Sequence, residues 1–525
     1  MKVKILCGLL IIAINIFFSC RKPTTANWDT DVVLPIVNSK LNIKNFLGDS
    51  IFSSDNNGLI HISVSRTLTA LQLDSILKLP DTSIVQTFSV VFPTTLTPGQ
   101  SLTFFPPTEL EFNITNGVKI STFDVKKGII NIKYSNDLTQ PLDLVYKLPG
   151  VTKYGMPYTI NETVPPGINS LIKSYDLSGY NFNMRGLSGN VYNTIVQAYT
   201  VNVNPNASTV TATFGQGVKL NISYEDIIPQ YAEGYFGQQT VDIDKDTTDL
   251  DIFNTFSASN LMLSDAKLNF KIINGFGVEF TGKLQNIQSI NGTSVVALST
   301  NQLNNININR ASKIGANVYP TVKTVSLNPS NSNILPFISL LPQKLVYEGE
   351  VNVNPFGNIS GYKDFAQYGN GLNVIADIDI PMQFKASAFH LQSISEVDFS
   401  KTKQLDNVNS ANLILTALNG YPFSAKIQAY MLNSADQVID SLMDINANTI
   451  AGGQINSLNI VTQPTNSRIN VNLSKQKLEK LRDTKKFKVK TTFIMPPNPP
   501  DIKFFDTYEI DVNFIAEINY NIKRN

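Results

Sequence analysis

Ala266-Lys267-Leu268-Asn269-Phe270-Lys271-Ile272-Ile273-Asn274-Gly275-Phe276-Gly277-Val278 and Ala411-Asn412-Leu413-Ile414-Leu415-Thr416-Ala417-Leu418-Asn419-Gly420-Tyr421-Pro422-Phe423 follow one pattern, 145 positions apart. An apolar run leads into Asn-Gly, an aromatic residue follows, and a second apolar segment begins. Such runs bounded by turn residues predict strands. Asn-Gly predicts a hairpin, because both residues tolerate positive φ. A weaker copy stands at Gly128-Ile129-Ile130-Asn131-Ile132-Lys133-Tyr134-Ser135-Asn136, followed by Pro141-Leu142-Asp143-Leu144.

A second motif recurs downstream of each copy. Tyr199-Thr200-Val201-Asn202-Val203-Asn204-Pro205 matches Gly349-Glu350-Val351-Asn352-Val353-Asn354-Pro355 at an offset of 150. Gly215-Gln216-Gly217 and Gly369-Asn370-Gly371 follow them, and Thr491 to Pro496 with Tyr508 to Phe514 reads as a degenerate third copy. Two unrelated motifs in one order imply three related β modules. The expected division is 28–110 for an N-terminal β region, then modules over 111–229, 230–381 and 382–525. Period-two alternation at 59–65, 218–224, 305–308 and 469–473 adds half-buried strands. Short helices are expected over 68–79, ended by Pro80, and over 474–481, with Ser474 as N-cap. The fold class is therefore all-β: a lipid anchor and tether followed by several tandem β-sandwich modules with few short helices.

The anchor is read from the first twenty residues. Met1-Lys2-Val3-Lys4 is basic, and Ile5–Phe18 is apolar apart from Gly8 and Asn15, too short to span a bilayer. Phe17-Phe18-Ser19-Cys20 resembles the lipobox of bacterial lipoproteins, with Phe17 where Leu is usual. The resemblance implies removal of residues 1–19 as a signal peptide and lipidation of Cys20, and the polar stretch 20–27 reads as a tether. Cys7 lies in the removed segment, so the mature chain keeps a single cysteine and has no disulfide framework. The 506 residues remaining of 525 exceed one hydrophobic core. The 42 basic and 41 acidic residues become 40 and 41 after processing, which leaves no basic excess for nucleic acid. Trp28 opens the body of the chain at Trp28-Asp29-Thr30-Asp31, where it would dock the tether onto the protein or onto membrane.

Few residues suggest chemistry. His61 and His390 each sit on strand faces opposite apolar neighbours and read as solvent-side residues. No nucleophile elbow, zinc motif, phosphate loop or dinucleotide fingerprint occurs. A carboxylate pair for glycoside hydrolysis needs only proximity in space, which sequence does not give. The densest acidic run, Asp242-Ile243-Asp244-Lys245-Asp246, makes Asp242, Asp244 and Asp246 candidate calcium ligands, although Thr247 and Phe253 break the EF-hand pattern. The alternative is a solvated strand with Ile243 inward. Tyr231, Tyr235 and Phe236, flanked by glycine, read as an aromatic loop that either contacts a partner or folds over the end of a sandwich. No cofactor is expected.

The module pattern resembles the β-sandwich of late-embryogenesis-abundant-like proteins over about 25 residues per copy. The layout of tether, Trp-Asp segment and β modules, with Leu71–Thr82, resembles Bacteroidota outer-membrane lipoproteins. That resemblance implies O-glycosylation at Asp-Ser/Thr-apolar or Asp-Thr-Thr sites, here Ser50, Ser75, Thr247 and Ser441. The expected function is non-enzymatic: a lipid-anchored binding or scaffold subunit of an outer-membrane β-barrel complex for secretion, barrel assembly or uptake. A lipid-carrying β tube and a surface glycan-binding lipoprotein are the alternatives. The expected location is the outer membrane, with a slight preference for the cell surface, and the expected partners are a β-barrel protein and other lipoproteins.

Overall fold

The computed structural model describes residues 27–43, 52–102, 106–250, 258–259, 261–386, 388–397, 408–443, 448–481, 483–495 and 501–523. Cys20, its tether and Ser50 lie outside them. Among the described residues strands hold 62% and helices 4%, the strands divided among several separate sheets, so the all-β reading with tandem sandwich modules holds. The chain forms two compact units: residues 1–63, 251–265 and 380–525 make one, and 64–250 with 266–379 the other. The N-terminal region expected over 28–110 is thus shared between both.

The Asn-Gly hairpins are corrected. Strand Lys267–Asn274 pairs with Thr321–Leu327 and with residues 372–379, whereas the next strand, Phe280–Asn291, pairs with Lys344–Val353, Ser294–Ala297 and Ile306–Ile308. Likewise Val408–Asn419 pairs with Thr465–Leu473 and Ile510–Lys523, but Ala425–Leu432 pairs with Lys486–Phe493. Asn-Gly is therefore the corner at which the chain leaves one layer of a sandwich for the other. Neither Asn274, Gly275, Asn419 nor Gly420 has positive φ. A corner strips backbone groups of ladder partners inside the core, and each one needs a replacement.

The asparagine supplies it, in the same way three times. Asn274 is fully buried. Its Nδ2 donates to Val278 O (2.9 Å) and Asn309 O (2.8 Å), and its Oδ1 accepts from Phe276 N (2.9 Å). Asn419 does the same with Phe423 O, Ala451 O and Tyr421 N, all at 2.9 Å. Asn136 binds Gln140 O (2.9 Å), Val164 O (3.1 Å) and Leu138 N (2.9 Å). The neighbouring backbone repeats as well. Asp137 N, Gly275 N and Gly420 N donate to Gly217 O, Gly371 O and Glu509 O at 2.8–2.9 Å. Asn204 N, Asn354 N and Ile494 N donate to Pro141 O, Glu279 O and Ser424 O at 2.8–3.0 Å. Every acceptor in this last set lies five residues beyond its corner asparagine.

In the larger unit the first copy has two layers. Strands Gly167–Asp176, Lys119–Asn136, Gly217–Tyr235 and Thr82–Ser89 form one, and Met156–Val164, Leu142–Lys153, Thr194–Val203 and Thr108–Glu111 the other. Asn181–Asn183 pairs with both layers and stitches one side shut. Tyr134, Tyr146, Tyr224, Phe112, Phe123 and Phe182 fill the interior with no solvent exposure. The Tyr146 hydroxyl meets Tyr224 Oη (2.6 Å) and Gln197 Oε1 (2.7 Å), so these phenols satisfy one another. Burial pushes both well above the usual phenol range, and for Tyr146 the neighbouring Tyr224 and Tyr199 add to it.

The second copy follows in the same unit, its corner set against the far end of the first. Asp364 is the hinge pin: wholly buried, it accepts from Phe236 N (3.1 Å) and Asn354 Nδ2 (2.7 Å). Arg310 lies 3.6 Å from the other oxygen of Asp364 and donates to Gly277 O and Lys363 O. A buried carboxylate needs such a cation, because one left alone bears a large desolvation penalty.

The helix expected over 68–79 is corrected to a single turn, Leu73–Ile76. Residues up to Leu71 continue a strand that starts at Ile60, with Leu68 and Leu71 buried. Alternating Thr67, Thr69 and buried Leu favour the extended form, and sheet pairing overrides any helical periodicity. The expected helix over 474–481 is present as Lys475–Leu481, with Lys477 N donating to Ser474 Oγ (3.3 Å). A further short helix, Ile334–Ser339, has no clear sequence signal. In the smaller unit Asn27–Leu41 pairs antiparallel with Ile510–Lys523, so the Trp28-Asp29 segment is a strand. Asp29 and Asp31 accept from Asn521 and Asn519 across that pair.

Candidate functional site: a gap in a sheet ladder

The 19-residue strand Gly217–Tyr235 is too long for any one neighbour on its outer edge. Thr82–Ser89 pairs with its first half, ending at Tyr224, and Asp364–Gln367 pairs with its second half, beginning at Tyr231. Residues 225–230 between them have no strand partner on that edge. The register against Lys119–Asn136 also slips at 225/228, 228/229 and 229/231. Asp226 takes a left-handed φ of 54° at this bulge. Pro229 fits because a bulge tolerates its missing N–H.

The gap is a cleft of about 610 Å³. One wall is Leu77–Asp81 and Asp74, the other Asp226–Pro229 and Tyr368. Leu73, Ile76, Leu77 and Leu79 are buried and pin the first wall, which leaves Asp74, Ser75 and Lys78 facing solvent. Gln72 and Ser75 cap the single turn reciprocally, and Gln239 Nε2 holds its last carbonyl at Ile76 (2.7 Å). Asp81 Oδ1 accepts from Asp226 N (3.1 Å), and Tyr368 N donates to Gln230 O (2.8 Å), so side chain and loop replace ladder bonds. Tyr368 is 46% exposed, with Lys126 Nζ 3.0 Å from its ring centre. Lys127 stands 4.0 Å from Asp226, both exposed. The wall thus presents three carboxylates, Lys78, an aromatic face under a cation, and half-exposed Ile228. Hydrogen bonding, ion pairing and cation–π contact are what it can offer. Histidine and cysteine are absent from its lining.

The residues singled out in the sequence fall elsewhere. Tyr231, Tyr235 and Phe236 do not form a loop: the two tyrosines are half-buried in the long strand and Phe236 is fully buried. Tyr231 donates to Glu233 (2.8 Å) beneath Lys313 Nζ, 3.8 Å from the ring centre, and Tyr235 packs edge-on against Tyr362. Asp242, Asp244 and Asp246 lie along strand Gln239–Asp249 with Ile243 buried between them. A register slip after Ile243 turns Asp246 to the Tyr347 hydroxyl (3.1 Å). Burial and that bond push Tyr347 up to about 12. Among the described residues no three acidic, histidine or cysteine side chains converge on one point. Ser75 and Thr247 are exposed, whereas Ser441 is half-buried beside the Asp440–Lys480 pair. His61 is half-buried, and His390 Nδ1 meets Thr492 Oγ1 at 2.9 Å.

No protein-family model and no curated protein matches the chain. Among solved structures it is similar to a protein of Parabacteroides distasonis provisionally described as secreted, at 10% identity and a TM-score of 0.27, covering 53% of this chain and 82% of that one. It is also similar to the VP2 subviral particle of infectious bursal disease virus, at 10% identity and a TM-score of 0.10, covering 92% and 87%. Neither score carries a fold or a function across. The resemblance to Bacteroidota lipoproteins rests on the sequence motifs alone.

Proposed function

We propose that the chain is a non-enzymatic outer-membrane lipoprotein, lipidated at Cys20, that serves as a binding or scaffold subunit of an integral β-barrel complex. The observation that carries the binding role is the ladder-gap cleft. Its first wall is fixed by buried leucines, two of its backbone groups are met by Asp81 and Tyr368, and its exposed wall offers charges and an aromatic face for contact. An exposed aromatic and Ile228 ringed by charges match the small apolar centre and polar rim of a protein contact. The filled tyrosine and phenylalanine interior of the first copy favours surface recognition over lipid carriage within a tube.

Affinity purification of the tagged full chain in mild detergent tests it. The expected result is a co-purifying barrel protein, lost with Asp81→Lys or Tyr368→Ala and kept with Thr247→Ala, exposed and outside the cleft. Repeated recovery of the lipoprotein alone would overturn the subunit role. A Cys20→Ala chain is expected to leave the membrane fraction.

A further inference from the structure

Sheet edges are templates for pairing, and proteins blunt them with charge, proline or bulges. Among the described residues, seven strands of seven or more residues pair on one side only: Asn27–Leu41, Thr82–Ser89, Met156–Val164, Gly167–Asp176, Gln239–Asp249, Thr321–Leu327 and Thr465–Leu473. Six carry at least one charged residue, and three of those also contain a bulge of their own. Thr82-Ser83-Ile84-Val85-Gln86-Thr87-Phe88-Ser89 has no charge, no proline and no bulge. It pairs with Gly217–Tyr224 without interruption.

The orientation of its backbone follows from the ladder. Val90 N donates to Gln216 O (3.0 Å) just beyond its end, while on the far side of the long strand Asp137 N donates to Gly217 O. Alternation in an antiparallel ladder then points even-numbered residues inward and the N–H and C=O of Ser83, Val85 and Thr87 outward. Val85 is 57% exposed on the same edge.

We propose that this edge is a self-pairing surface: two copies of the chain join antiparallel through Thr82–Ser89, centred on Val85. In that register Val85 faces Val85, Ser83 faces Thr87, and the nearest charge, Asp81, faces Ser89. No like charges meet, and the outward hydrogen-bonding groups satisfy one another across the two-fold axis. The lack of any charge across all eight residues, on the one bare long edge, is what selects a second copy as the occupant. The pairing makes one continuous sheet from two first-copy layers.

The test is the protein mass of the full chain in mild detergent, by size exclusion with light scattering that separates protein from micelle, over a dilution series. The wild type is expected at twice the chain mass, falling to one chain on dilution. Val85→Lys places two like charges face to face and is expected to give one chain at every concentration. Val85→Pro removes only an outward donor, so it is expected to give one chain with an unchanged urea midpoint, while Val85→Thr keeps the pair. A wild type of one chain throughout, or a two-chain mass that survives both Val85→Lys and Val85→Pro, would overturn the proposal.

Discussion

The second and third corners, at Asn274 and Asn419, solve one problem with different surroundings. In both, a buried asparagine bridges two carbonyls and one N–H with distances that agree within 0.1 Å. Beyond that bracket they diverge. The second corner has Gly371 opposite it, Asn354 beside it and the Asp364–Arg310 pair beneath. The third has Glu509 and Ile494 in those places, with Glu509 3.3 Å from Lys40 at the surface. What repeats is therefore the satisfaction of buried backbone, which has few solutions. What varies is the contact made by the corner's outer side, which has many.

The comparison breaks first at the asparagines. Asn274→Ala and Asn419→Ala each remove three hydrogen bonds and strand buried carbonyls, so each is expected to lose about 3–5 kcal/mol in urea unfolding. Hydrogen exchange should localise the loss to the matching sandwich. A loss below about 1 kcal/mol at either site would mean that the bracket is not what holds that corner. Next is Arg310→Ala, which leaves Asp364 buried without a cation and should cost about 3 kcal/mol. Ile494→Ala, at the third-corner position that matches Asn354 and 41% exposed, should cost under about 1 kcal/mol. Third, Gly371→Ala would drive a Cβ into the carbonyl of Leu71, for a loss of about 2 kcal/mol. Glu509→Ala removes only a half-exposed ion pair and should fall within about 0.5 kcal/mol.

The smallest effect is a pH dependence confined to the unit of the third corner. Partial burial, then Lys490, hold His390 below its ordinary value of 6.5. The unfolded chain binds that proton first, so stability should fall as pH drops below 6.5 and level off once the folded histidine is also protonated. His390→Gln should remove that slope from the pH dependence of the urea midpoint. An unchanged slope would assign it to other groups.

Much of the fold was legible because its signals are local. Alternation at 218–224 and 469–473 marks strands that sit where the pattern puts them, and Ser474 caps its helix. The recurring Asn-Gly was legible as a repeat but not as a corner. Hairpin and sandwich crossing share the same dipeptide, and only pairing partners about 50 to 100 residues away tell them apart. One clue was present: a two-residue hairpin turn does not require Asn136, which lacks a following glycine, to behave like Asn274. The cleft was less visible still. Asp81 and Asp226 are 145 residues apart, and a missing ladder partner has no residue of its own to read. Leu71–Thr82 stood out in the sequence for its resemblance to lipoproteins, and it does form one wall of the cleft.

Asn27–Leu41 and Ile510–Lys523 form one antiparallel pair from opposite ends of the described chain. The first of these strands is made, and in an exported chain crosses the membrane, well before the second. Until residues 510–523 arrive, the early strand lacks its ladder partner and carries Val32 and Val33 on an open edge. The sheet that contains Asn419 is complete only once residues 510–523 join its other strands. A chain cut short before residue 510 keeps its first strand unpaired, and such a bare edge is a ready template for wrong pairing.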